Sequence, residues 1–313
     1  MQTARDVLTP DALAMLQAIA EAGSFAAAAR ALGLVPSALT YRVRQIEDAL
    51  DVLLFDRSSR QARLTAAGTE LLREGARLLC EIDAVAHRVK RVATGWESQF
   101  TVAVDGIISR ATMMELCESF FTLKAPTRLK LRDETLTGTL EALTAGHADL
   151  AIGVALDPGT HPGIQAKPLG NVSFVYAVAP HHPLAALPEP LSDATLQLHR
   201  AVAVADSAQR GSGMTIGLLA GQDVFTVASM QAKLSAQLRG LGGGFVPETL
   251  AHDHVEAGHL VVKTTERAQR VMRVSYAWRD AEARQRGRAL QWWLRQLESP
   301  ATRHALLTRH RGL

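Results

Sequence analysis

Between Thr9 and Leu50 the apolar spacing of the chain is broken twice by glycine after helix-length runs, and this punctuation constrains the fold more than any other feature. Leu13, Leu16, Ile19 and Ala20 recur at helical intervals behind Thr9-Pro10, which predicts a capped helix that Gly23 stops. Ser24 opens a second, alanine-rich helix through Phe25, Ala28, Ala29 and Leu32, stopped in turn by Gly33. After only Leu34 and Val35, Pro36 takes the first position of a third helix with the apolar face Leu39, Val43, Ile46 and Leu50. Helix, tight turn, helix is a geometry that reads DNA, and it also occurs in bundles that bind no nucleic acid.

Ser37, Thr40, Tyr41, Arg42 and Arg44 lie off the apolar stripe of the third helix, where a reading helix meets bases and phosphates. Beyond it, Leu53-Leu54-Phe55 and Arg63-Leu64 bracket a polar stretch holding Arg57 and Arg60, the pattern of a two-stranded wing. A winged helix-turn-helix follows. Residues 1–95 hold 12 Lys and Arg against 11 Asp and Glu, so only the local clustering of arginines, not net charge, favours a polyanionic partner.

Ala28-Ala29 and Leu32, Pro36-Ser37-Ala38-Leu39-Thr40, Glu47, Leu54-Phe55-Asp56-Arg57 and Leu64-Thr65-Ala66-Ala67-Gly68 stand in the order and spacing seen in LysR-type transcriptional regulators, and the chain resembles a full-length member. The resemblance runs ungapped over roughly sixty residues. It implies double-stranded promoter DNA as partner, with Ser24, Pro36, Ser37, Thr40, Tyr41, Arg42, Arg44, Arg57 and Arg60 as contact residues. The family's reading helix starts Ser-Gln-Pro-Ala-Leu-Ser; here Val35-Pro36-Ser37-Ala38-Leu39-Thr40 lacks the glutamine, which moves base readout toward Ser37, Thr40, Tyr41 and Arg44.

Thr65 is placed to cap a long helix whose Leu78, Ile82, Val85, Val89 and Val92 alternate steps of four and three. Such a seam pairs with a second copy or packs within its own chain. The resemblance implies the former, a homodimer that presents two heads to one pseudo-palindrome, with homotetramers formed through the sensor domains and contact with RNA polymerase if the regulator activates.

After Trp96 strands and helices alternate, the texture of an α/β domain. Strands are predicted at Phe100–Asp105, Arg128–Arg132, Ala148–Val154, Ala201–Ala205, Phe225–Val227 and Val271–Trp278, and helices at about 109–123 and 136–145. Gly146-His147-Ala148-Asp149-Leu150-Ala151-Ile152, the stretch Ala179 to Ala185 and the stretch Leu238 to Pro247 are similar to the LysR sensor, which implies two α/β lobes of periplasmic-binding-protein type around an effector cleft. Helix N-termini at such a cleft suit a small molecule. The candidates are Asp105, Ile107, Ile108, Ser109, Thr135 and Thr137 on one lobe, and Asp206, Ser207, Ser229, Met230 and Phe245 on the other; each Ser or Thr is alternatively a plain helix cap. An acid at Asp105 disfavours an anionic effector and suits an aromatic or hydroxylated one.

The fold expected is therefore α+β and multidomain: a mainly α winged head over 1–64, a linker helix over 65–95, an effector-binding domain over 96–300 and a basic tail over 301–313. Lobe I is expected over 96–166 and 268–300, lobe II over 167–267. Trp292, Trp293 and Leu297 suggest a closing helix, with the arginines around it solvated.

No apolar run approaches the ~20 residues of a membrane span, the mixed-charge start is unlike a secretory signal, and Cys80 and Cys117 form no disulfide framework. These readings fit the cytoplasm. Gly211 to Gly217 departs from the dinucleotide fingerprint, Gly242-Gly243-Gly244 lacks a phosphate-loop lysine, and His252, Asp253, His254, Glu256 and His259 lack the spacing of a metal motif. No enzyme, metal or cofactor is expected. Rival readings are a DNA-binding regulator that senses nothing and a small-molecule-binding protein with a vestigial head; a ligand screen by thermal shift separates them.

Overall fold

The computed structural model describes residues 3–56, 62–155, 161–208, 215–268, 270–279 and 286–310. The chain divides into two compact units, Met1–Val89 and Lys90–Leu313.

The first unit contains α1 (Ala4–Val7), α2 (Pro10–Ala22), α3 (Phe25–Leu32), α4 (Pro36–Leu50), β1 (Phe55–Asp56), β2 (Arg63–Leu64) and most of α5 (Ala66–Thr94). The caps fall where the sequence placed them: Thr9 and Ser24 accept N–H bonds from Ala12 and Ala27, Gly23 and Gly33 end α2 and α3 at φ 68° and 66°, and Thr65 accepts from Gly68 N–H. Leu16, Ile19, Ala28, Ala29, Leu39, Val43 and Ile46 form the core, joined by Leu54 and Phe55 from the wing. Glu47 ties that wing to α4. It is buried in the apolar interior and accepts from the N–H groups of Leu54 (2.8 Å) and Phe55 (3.4 Å).

The second unit is built on a sheet in the order β10-β6-β11-β5-β3-β4, with β9 also paired to β6. Its elements are β3 (Gln99–Asp105), α6 (Arg110–Phe121), β4 (Arg128–Glu134), α7 (Gly138–Thr144), β5 (Leu150–Val154), β6 (Ile164–Val178), α8 (Asp193–Gln197), β7 (Ala201–Val204), β8 (Val224–Val227), α9 (Met230–Leu238), β9 (Gly244–Pro247), α10 (Glu248–Glu256), β10 (Val261–Lys263), β11 (Arg270–Arg279), α11 (Arg288–Glu298) and α12 (Pro300–Thr308). β3 runs parallel to β4 and β5 and is buried nearly throughout, as a strand covered on both faces must be.

Two lobes result because β6 and β11 are long and antiparallel from Phe174–Arg270 to Ile164–Arg279. One end of this ribbon joins β5, β3 and β4; the other joins β9 and β10, beside the parallel pair β7-β8. The crossings between lobes thus lie inside strands. The first-lobe core is aromatic: Phe100 stacks on Trp293, and Phe120 meets Trp292 edge-on at 5.3 Å. Buried Glu97 caps α11 by accepting from Ala289 N–H (2.9 Å) and Leu290 N–H (3.2 Å).

The chain end departs from the sequence reading. Where a basic tail was expected, α12 buries Leu306 and Leu307 against the first-lobe core, since two adjacent leucines outweigh the arginines around them. Its end bonds to both lobes: Ala305 O accepts from Thr112 of α6 (3.2 Å), and Leu307 O from Thr249 of α10 (3.0 Å). Arg309 pairs with Glu115 (3.0 Å), so it is not simply a solvated arginine.

Because Glu47 is a charged acceptor for two wing amides, Glu47→Ala is expected to cost about 2–3 kcal/mol of head stability, measured by urea unfolding followed on the helical signal.

Candidate functional site

The reading face is the exposed side of α4. Pro36 at the first turn fixes the start of the helix, and Leu39, Val43, Ile46 and Glu47 are drawn inward, leaving Ser37, Thr40, Tyr41, Arg42 and Arg44 in solvent. Tyr41 is 62% exposed, yet its hydroxyl accepts from Gln45 Nε2 (3.1 Å), which holds the ring along the helix. Thr40 spends its proton on the Pro36 carbonyl (3.0 Å) and keeps its lone pairs. Among the described residues neither Arg42 nor Arg44 has a hydrogen-bond or ion-pair partner, so both guanidiniums are available to phosphates. Ser24 is different: its hydroxyl is the cap of α3. In the wing Asp56 lies opposite Arg63; Arg57 and Arg60 lie outside the described residues.

The other candidate residues gather where the two lobes of the second unit meet, and most of them bind one another. Thr135 N–H donates to Ser207 Oγ (2.9 Å), the Thr135 hydroxyl to the Ala205 carbonyl (2.6 Å), and the Thr137 hydroxyl to Asp206 Oδ2 (2.6 Å). Gly138 N–H donates to Asp206 Oδ1 (3.2 Å), and the Ser207 hydroxyl donates to the buried Glu134 carboxylate. Thus the N-terminus of α7, expected to receive an effector, carries Asp206 from the opposite lobe. The reason is the one that suggested the site: free N–H groups at a helix start attract a carboxylate, and the chain supplies its own. Gly138 permits the approach, since a Cβ there would fall 2.0 Å from Ser207 Oγ.

Asp105 holds the latch from behind. Its Oδ1 accepts from Ile107 N–H (3.0 Å), and its Oδ2 from Leu136 N–H (2.9 Å) and the Thr139 hydroxyl (3.2 Å). Leu136 sits at φ 54°, a left-handed conformation that costs a branched side chain on the order of 1–3 kcal/mol, and the bond to Asp105 helps to keep it there. Burial pushes the Asp105 carboxyl up to about 7, with the nearby Asp206 charge adding to the rise and the three hydrogen bonds opposing it.

Beside the latch runs a groove of about 1470 Å³ bordered by Asp105, Ile108, Thr135, Ser207, Ser229 and Met230, with α6, α10 and the end of α12 along its length. Ile107 is buried in the first-lobe core. Thr137 and Asp206, bonded to each other, do not border the groove either, and two further expectations shift. Ser109 is wholly buried, accepts from Thr112 N–H and donates to the Arg309 carbonyl, while its own N–H donates to Leu306 O (2.8 Å), because α12 covers the start of α6. Phe245 does not border the groove; it packs edge-on against Tyr176 (5.3 Å) inside the second lobe. Ser229 caps α9 through Ala232 N–H (3.1 Å) while bordering the groove.

Residues 10–69 match the family model described as bacterial regulatory helix-turn-helix protein, lysR family, and residues 93–300 match the LysR substrate binding domain. The chain belongs to the LysR family of transcriptional regulators. It is 35% identical over 283 residues to the uncharacterized HTH-type transcriptional regulator YeeY of Escherichia coli K12, covering 90% of this chain and 91% of that protein. It is also 35% identical over 290 residues to the probable HTH-type transcriptional regulator YhaJ of the same organism, covering 93% and 96%. Full-length CbnR, solved with its target DNA, shares the fold at a TM-score of 0.60 and 20% identity over 93% of this chain and 99% of that one.

The regulator is thus a DNA-binding transcriptional regulator with an effector-binding domain. Among the described residues no helix is long and apolar enough to cross a membrane. One ligand atom from each of His252, Asp253 and Glu256 lies within 4.8 Å of the others on α10, with Asp253 half-buried. Sequence reasoning did not find the roles of Glu47, Glu97 or α12. For Glu47 and Glu97 the only signal was a carboxylate on or next to an otherwise apolar face, and for α12 it was Ser299-Pro300 ahead of Leu306-Leu307, a cap, a proline and an apolar pair.

Because the folded Asp105 carboxyl titrates well above an unfolded aspartate, its contribution to stability is full below about pH 4 and is lost as pH rises through about 7. Asp105→Asn should flatten this dependence: melting temperatures of wild type and variant should diverge across pH 4 to 7, the wild type losing ground as pH rises.

Proposed function

We propose that the regulator binds promoter DNA as a dimer paired along α5, places α4 of each copy in the major groove, and has its DNA binding or bending modulated by a small molecule in the inter-lobe groove. The observation that carries the DNA reading is the solvent face of α4, where Arg42 and Arg44 are without protein partners beside Ser37, Thr40 and Tyr41. Arginines flanking the helix take phosphates, and the hydroxyl-bearing face nearer its start meets base edges. Ser24, Pro36 and the wing residues Arg57 and Arg60 complete the proposed contact set.

Pairing along α5 is supported by its apolar seam. Leu78, Ile82, Val85, Val89 and Val92 are 45%, 47%, 50%, 65% and 86% exposed, although their spacing is that of a coiled-coil stripe. A stripe of branched apolar side chains left in water finds its stability in a second copy, and a two-fold dimer then reads two half-sites about one helical turn apart. Two such dimers joined through their sensor domains would make the tetramer.

The groove favours a neutral, hydroxylated effector, aromatic or otherwise, over an anion. Asp105, Glu115, Glu118, Asp133, Glu134, Glu248 and Asp253 border it against Arg110 and Arg309. Those two arginines are already paired, with Asp133 (2.8 Å) and Glu115 (3.0 Å). Hydroxyl groups can bond to Thr135, Ser207 and Glu134, which border the groove, so an effector enters by exchanging its bonds for those between Thr135, Ser207 and Glu134. It shifts the regulator to the extent that it binds the opened and latched arrangements differently.

The test is DNA binding over a salt series with a fragment from the regulator's own promoter. Arg42→Ala and Arg44→Ala should each lower the slope of log affinity on log salt by about 0.9; slopes unchanged in both would remove α4 from the backbone. Val85→Asp, which sets a charge in the seam, should convert the dimer to monomer in sedimentation and weaken operator binding at least 10-fold, since two linked heads bind far more tightly than one. An unaltered dimer would refute pairing along α5.

A further inference from the structure

The second lobe contains a cavity of about 10 Å³ separate from the inter-lobe groove, bordered by Tyr176, Gly217, Lys233, Gly244, Phe245 and Arg267 among others. Space of this size admits one particle about as large as a water molecule. Its polar lining is unusual in sign. Lys233, on α9, is 7% exposed and has no hydrogen-bond or ion-pair partner among the described residues. Its ammonium lies against β9, where a Cβ on Gly244 would be 3.2 Å from Nζ. The Tyr176 hydroxyl, on β6, is buried and also without a partner.

Nothing nearby neutralises the lysine. Arg270, on β11, repels it and has no ion pair among the described residues; its guanidinium lies beside Gly217 at the cavity wall. Arg267 is spent on Asp193, with bonds of 2.6 and 3.0 Å. Gln222 donates to the carbonyls of Leu196 (2.8 Å) and His199 (3.0 Å) and accepts from Leu219 N–H (3.2 Å), so its amide is committed too. Among the described residues no carboxylate borders the cavity.

An unpaired buried ammonium is costly, and a protein relieves the cost by releasing the proton or by holding a counter-ion. Burial, with Arg270 adding to it, pushes Lys233 down only to about 8, so most of its charge persists at neutral pH. We propose that this cavity is a binding site for a small inorganic anion of the halide class, held by the Lys233 ammonium in the field of Arg270. Phe245, seated edge-on over Tyr176, closes the site on one side. The site is independent of the effector reading, because none of Tyr176, Lys233, Gly244 and Phe245 borders the groove.

The experiment uses the full chain at constant ionic strength, exchanging gluconate for chloride or bromide and following the melting temperature. The wild type should be stabilised saturably by both halides. Lys233→Met, similar in volume and uncharged, should melt at or above the gluconate value of the wild type and show no halide response. Arg270→Gln should retain the response with apparent affinity lowered about 10-fold. A wild type with no saturable response, or a Lys233→Met variant with the same response, overturns the site. Crystals of the wild type soaked in bromide decide the matter even if the variant fails to fold: an anomalous peak in the cavity beside Lys233 Nζ supports the assignment, and a cavity without one refutes it.

Discussion

The second unit is organised around a helix start that cannot be left empty. The first amides of α7 point across to the other lobe, and the Asp206 carboxylate meets Gly138 N–H and the Thr137 hydroxyl. Around this contact the chain accepts three costs: a left-handed Leu136, a buried Asp105 carboxyl pushed up to about 7, and a glycine at 138 where any side chain would strike Ser207. Backbone strain and perturbed carboxyls gather at functional sites. Here they gather at the place where the two lobes meet.

How legible this was in the sequence depends on the scale of the interaction. The head was readable because its determinants are local: Thr9, Ser24, Gly23, Gly33, Pro36 and Thr65 act within one turn of their own helices, and each takes the role its chemistry dictates. Strands β3, β5 and β11 were legible for the same reason, through runs of apolar residues, whereas β6, β9 and β10 were not predicted. The pairing of Thr135 and Thr137 with Asp206 and Ser207 was not, because those residues lie about 70 positions apart and sequence supplies groups without saying which meet. Ser109 shows the converse. It is a helix cap as its position suggested, but α12, some 200 residues away, covers it.

Two buried glutamates make a related point. Glu47 and Glu97 look like ordinary surface acids in the sequence, yet each accepts backbone N–H groups that no other element satisfies, at the root of the wing and at the start of α11. A buried carboxylate costs little when backbone amides surround it and much when they are taken away. Lys233 stands at the other extreme, a buried charge with no hydrogen-bond or ion-pair partner among the described residues.

The central claim is that closure between the lobes sets how the heads engage DNA. It is tested most directly by DNase footprinting on the DNA flanking the regulator's own gene, comparing the wild type with Gly138→Ala, whose methyl group would fall 2.0 Å from Ser207 Oγ and wedge Ser207 away from α7. The wild type should protect a bounded, paired site, and the variant should protect the same half-sites with an altered length or an altered pattern of bend-induced cleavage between them. An identical footprint from a folded Gly138→Ala protein would contradict the account.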